Sequence, residues 1–163
     1  MYTYWIAASF ALLSCAQPGE SDTSKLFTKT DAEKILGEPA HLTDSASSVR
    51  QDTIEYRCTY TADTPDLKTG KRGNIYFMWD QYADTSIAKS LYSFFKKANE
   101  THEGVKVIHD LGDEAYFHSD GENFYFILVR KGLKMIRMKV NKITSNTSVA
   151  EFNRVARKIT EAL

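Results

Sequence analysis

Apolar and polar residues alternate through residues 54–61, IEYRCTYT. Ile54, Tyr56, Cys58 and Tyr60 share one face, and Glu55, Arg57, Thr59 and Thr61 share the other. A period of two marks a half-buried strand, and it places Cys58 inside. GNIYFMWD, residues 73–80, repeats the pattern with Ile75, Phe77 and Trp79 inward. The turn-rich DTPDLKTGKRG between them, residues 63–73, reads as a long hairpin tip. Residues 105–111, VKVIHDL, predict a short strand, and 112–123 a turn, a strand fragment and a second turn. FYFILVRK, 124–131, is apolar on both faces and predicts a strand inside the sheet. Gly132 turns it into LKMIRMKV, 133–140.

A period near 3.6 replaces the alternation in three places. TDAEKILG, 30–37, predicts a short helix with Thr30 as N-cap, Glu33 completing a capping box and Gly37 ending it. Its Ala32, Ile35 and Leu36 face one side. Residues 83–98 carry Ile87, Leu91, Phe94, Phe95 and Ala98 at helical spacing. SVAEFNRVARKITEAL, 148–163, has the clearest stripe: Val149, Phe152, Val155, Ala156, Ile159 and Leu163. Strands come in hairpins and helices come singly. That order predicts an α+β fold, an antiparallel sheet flanked by helices.

The chain has 163 residues, a length suited to one domain. Lys and Arg number 21, as do Asp and Glu, so the formal charge is zero. A nucleic-acid partner is not expected, because phosphate neutralisation would call for a basic excess.

Residues 1–14, MYTYWIAASFALLS, carry no charged side chain and are too short to span a bilayer as a helix. They match the apolar core of a signal peptide. Leu12-Leu13-Ser14-Cys15 resembles the lipobox of bacterial lipoproteins. That resemblance implies cleavage before Cys15, lipidation of its thiol and attachment to the membrane. AQPGESDTSK, just after Cys15, has a tether's composition. The expected organisation is a signal peptide over 1–14, a tether with the lipidated Cys over 15–25 and one α+β domain over 26–163. An ordinary secretory signal with a chance Cys, or a buried N-terminal helix, are the alternatives. Ala16 after the Cys lacks the Asp of an enterobacterial inner-membrane retention signal, which points to the outer membrane. Cys58 is then left as a core residue, a reactive thiol or a partner for Cys15.

The motif order "TDAEKILGEP", "CTY", "IAKSLYSFFKKA", "VKVIHDLGDEAYF", "VRKG" and "VARKIT" resembles a diffuse group of small bacterial lipoproteins of unknown function. Many of these are thought to have the PsbP-like fold, an α/β/α sandwich. The resemblance covers roughly 24–163 and is carried most by Leu111-Gly112-Asp113-Glu114-Ala115-Tyr116. It implies an envelope protein with a binding or assembly role, and it supplies no catalytic residues. In LGDEAY itself, Gly112 suits a positive φ and Asp113 a turn capped through its own backbone.

Candidate chemistry is sparse. His109-Asp110 and His118-Ser119-Asp120 flank Asp113 and Glu114. Two imidazoles with a carboxylate can hold zinc, so His109, His118, Asp113 and Asp120 are the candidate metal ligands. A small metal-binding protein or metal-dependent enzyme is therefore the alternative reading. No HExxH, GxSxG, GxxxxGK[ST] or GxGxxG is present, and no cofactor is expected from motifs. KTGKRG has cations for an anion but lacks a following helix, and reads as a solvated tip. The strands are rich in Tyr76, Phe77, Met78, Trp79, Tyr116, Phe117, Phe124, Tyr125, Phe126, Met135 and Met138. Helices on both faces would make these core. Helices on only one face would leave some of them on an exposed concave face, to bind an apolar ligand or a peptide. The sequence thus predicts a non-enzymatic, lipid-anchored envelope protein. Its partner would be another envelope protein or a small apolar ligand.

Overall fold

The computed structural model describes residues 23–51 and 53–163. The signal peptide and the lipidation of Cys15 lie outside the described residues. A 3₁₀ turn, Thr23–Lys25, comes first, where the tether was expected to continue. Then follow α1 (Lys29–Leu36), β1 (Ala40–Arg50), β2 (Thr53–Ala62), β3 (Asn74–Tyr82) and α2 (Thr85–Asn99). β4 (Val105–Ile108), β5 (Glu114–Ser119), β6 (Phe124–Lys131), β7 (Lys134–Asn141) and α3 (Val149–Ala162) complete the chain. The fold is α+β. The seven strands of the described residues form one open sheet in the order β1-β2-β3-β7-β6-β5-β4, and every pairing is antiparallel.

The two faces of the sheet carry different cores. Cys58, Ile75, Phe77, Trp79, Ala115, Ile127, Val129, Ile136 and Met138 point to one side and meet α1 and α3. The alternate residues Tyr82, Tyr116, Leu128 and Met135 point to the other side and meet Ala88 and Tyr92 of α2. β6 lies between β7 and β5 with Ile127 in the first core and Leu128 in the second, which is why its sequence is apolar on both faces. Phe27, just before α1, stacks on Phe77 with ring centroids 5.1 Å apart. Each such fully buried side chain contributes about 1.5–3 kcal/mol of hydrophobic stabilisation.

Four details differ from the sequence reading. Thr28, not Thr30, caps α1, and its box partner is Asp31: each residue's side chain accepts from the other's backbone amide. Glu33 instead accepts from the Ala40 amide. Residues 40–50 form a strand that their polar composition conceals. β1 is an edge strand, exposed along most of its length, and is held by its ladder to β2. At its one irregularity, Thr43 donates to the Thr59 carbonyl and lies 3.0 Å from the Thr61 hydroxyl. On α2, Ala88 and Tyr92 are the buried residues, whereas Phe94 is 67% exposed. Asp113 does not cap its own turn. Its carboxylate accepts from the Gly132 amide at 2.8 Å and from Arg130 at 2.9 Å. Gly112 does take the positive φ expected of it, +62°, where a Cβ would lie 2.6 Å from the Arg130 carbonyl oxygen.

Candidate functional site: a groove between α3 and β4

Three helices cannot cover both faces of seven strands. α1 packs on β1, β2 and β3, and α3 packs on α1 and β6. The helical layer therefore ends short of the far edge of the sheet. There a groove of about 950 Å³ opens between α3 and β4, a size suited to a small-molecule ligand.

Local sequence rules place each wall. Pairing of β4 with β5 sets Lys106 opposite Phe117 and Ile108 opposite Ala115, so Lys106 and Ile108 share the face of the α3 core. Phe117 forms the floor, backed by its fully buried cross-strand partner Ile127, and the largely buried Leu111 lines the groove beside the β4–β5 turn. Ser148 starts α3 by accepting from the Glu151 amide. The helix then sets Val149, Asn153 and Arg157 along the groove at four-residue spacing. Val149 belongs to the predicted apolar stripe of α3, yet it is 40% exposed, because the stripe runs past the helix's partner layer and into the groove.

The rim is basic. Lys106, Arg154 and Arg157 line the groove beside His109, and among the described residues Asp110 is the one carboxylate there. Arg157 reaches across to the β4–β5 turn, donating to the Asp110 carbonyl at 2.9 Å and its carboxylate at 2.8 Å. That guanidinium holds the Asp110 carboxyl below the usual carboxylate range. Arg154 is drawn instead to Glu151 on its own helix, 2.8 Å away.

The predicted metal ligands are dispersed. His109 lines the groove. His118 lies on β5 on the opposite face, its ring centroid 5.7 Å from that of His102 and edge-on to Phe124 at 4.9 Å. Burial and the neighbouring His102 lower the His118 pKa. Asp113 is engaged by Gly132 and Arg130. Asp120 accepts from the amides of Glu122, Asn123 and Phe124 and so closes its own turn. Among the described residues, no group of three or more His, Cys, Asp and Glu side chains is placed to hold a metal ion.

Cys58 is fully buried in the first core, and burial pushes its thiol up to about 11. It is the core residue that its strand position indicated. The predicted tip, 63–73, is fastened at its base: Asp66 is 5% exposed and bonds Ser145. Of the aromatic residues noted in the strands, Phe117 is the one that lines the groove. The sequence reading did not find Lys106, Ile108, Asn153, Arg154 or Arg157. The available signal was Arg154 and Arg157, three apart on the polar face of α3, beside a stripe that begins at Val149.

No protein-family model matches the chain, and comparison with curated proteins and with solved structures finds no significant match. Among the described residues, no helix is long and apolar enough to cross a membrane.

Proposed function

We propose that this protein is a non-enzymatic binding protein of the bacterial cell envelope, held to the membrane through acylated Cys15, with the α3–β4 groove as its binding site. The observation that carries the binding role is the groove itself. Ile108, Phe117 and Val149 present apolar surface in a concavity large enough for a drug-sized or acyl-chain ligand. The anchor rests on the lipobox-like Leu12-Leu13-Ser14-Cys15 and the polar stretch after it. The PsbP-like assignment belongs to the same proposal and is supported by an antiparallel sheet with helices on both faces.

The test uses the chain from residue 15 with Cys15→Ala, which keeps every described element and carries no acyl group. N-phenylnaphthylamine, a neutral probe that brightens in apolar surroundings, is titrated against it. Brightening that is lost in Asn153→Phe, a variant that fills the groove from an exposed helix position, is the expected result. No brightening, or brightening unaffected by Asn153→Phe, would contradict the reading.

A further inference from the structure

The contact that spans the groove also indicates the charge of what binds there. Arg157 uses both terminal nitrogens on Asp110, one on the backbone carbonyl and one on the carboxylate. The Asp110 side chain is 75% exposed. The Arg157 guanidinium lowers the Asp110 pKa, and among the described residues no other side chain hydrogen-bonds the carboxylate. The carboxylate can therefore leave the guanidinium without breaking a bond to another side chain, and Arg157 lines the groove together with Phe117. Lys106 and His109 stand on the opposite wall, and among the described residues Asp110 is the one carboxylate in the lining. A guanidinium presents its donors in a fork that fits a carboxylate or phosphate with two hydrogen bonds.

We infer that the groove takes an amphiphile with an anionic head on an apolar body, that Arg157 anchors the head, and that Asp110 occupies the head's place until the ligand arrives. The inference rests on the groove being the binding site. The apolar body lies on Phe117, Ile108 and Val149, and the head displaces the Asp110 carboxylate from Arg157. Asp110 thereby acts as a competitor built into the chain. Neutral amphiphiles lack a group able to make that exchange, so they gain only the apolar contact.

Calorimetric titration of the Cys15→Ala chain with dodecanoate, dodecyl phosphate and dodecanol, each as monomer, tests this. Both anions are expected to bind about tenfold or more tighter than dodecanol, the scale of one charge-assisted hydrogen bond. Arg157→Gln is expected to bring the anions down to the dodecanol level while leaving dodecanol unchanged. Asp110→Asn is expected to tighten the anions alone. If dodecanoate leads, the head is the carboxylate of a free fatty acid; if dodecyl phosphate leads, it is the phosphate of a lipid headgroup, and either order supports the inference. Equal binding of all three by the wild type, or an equal loss of all three in Arg157→Gln, would overturn the charge selectivity and leave the groove in place. Binding of none of them would overturn the groove reading itself.

Discussion

The carboxylate of Asp66, in the loop between β2 and β3, accepts from both the amide and the hydroxyl of Ser145, 79 residues later, at 3.1 and 2.8 Å. The same carboxylate accepts from the Thr69 hydroxyl at 2.6 Å and from the Lys68 and Thr69 amides. One buried acid thus fastens the long hairpin tip to the segment that leads into α3, and so fixes where the helix begins relative to the sheet.

Those bonds, the Thr69 hydroxyl first among them, hold the Asp66 carboxyl far below the ordinary value of 3.8. A depressed carboxylate stabilises the fold fully above the unfolded value, and that contribution is lost as pH falls through the folded one. Asp66→Asn should therefore melt below the wild type near neutral pH. The gap should narrow as pH drops from about 6 to about 2. Melting curves across that range check this; a gap that stayed constant would mean the charge on Asp66 is immaterial.

Gly37 ends α1 at φ +73°, where an added Cβ would lie 2.2 Å from the carbonyl oxygen of Asn146. Gly70 has φ +67° with nothing within 4 Å of its Cβ position. Gly70→Ala should cost only the left-handed penalty of about 1–2 kcal/mol. Gly37→Ala should cost clearly more, because backbone must move as well. Denaturant unfolding of the two variants measures the difference, which the account requires to be positive.

Cys58 has no exposed surface, and its thiol is pushed up to about 11. A thiol that is neither reachable nor ionised at neutral pH reacts slowly. Labelling by a disulfide reagent should be slow in the native protein and immediate in denaturant. Cys58→Ser should destabilise by about 1 kcal/mol or more, because it puts a hydroxyl, with only Tyr56 as its polar neighbour, in the apolar core. Fast native labelling would point to a redox role instead.

Intact mass of the protein made in a Gram-negative host checks the anchor. Loss of residues 1–14 with a gain of a diacylglycerol and an acyl chain is expected. Both changes should be absent in Cys15→Ala. An unacylated product would remove the envelope reading.

Much of the sheet was legible because burial on one face leaves a period of two. β2 shows it, and Cys58 fell inside as its position required; β3 keeps Ile75, Phe77 and Trp79 in step although Met78, Asp80 and Tyr82 on its other face are buried too. The core of α3 was legible for the matching reason, with Phe152, Val155, Ala156 and Ile159 all fully buried. β1 was not legible, because a strand exposed on both faces has no reason to alternate; its partner strand, rather than its own sequence, makes it a strand. The cap of α1 was misplaced by two residues because Thr28 and Thr30 are equally good caps in isolation. Phe94 had the right spacing, but no layer lies over it. The groove was hidden for a different reason. Asp110 and Arg157 are 47 residues apart, and nothing local relates the end of a short strand to the polar face of a helix. An open face was expected only if helices covered one side of the sheet, whereas helices lie on both sides and leave one edge uncovered.

The most direct test of the groove as the binding site is a map of amide chemical shifts in the Cys15→Ala chain as dodecanoate is added. The account predicts changes concentrated at Ile108, Asp110, Phe117, Val149, Asn153 and Arg157, with the face under α2 silent. Changes centred on Tyr92, Tyr116 and Met135, or none at saturating ligand, would contradict it.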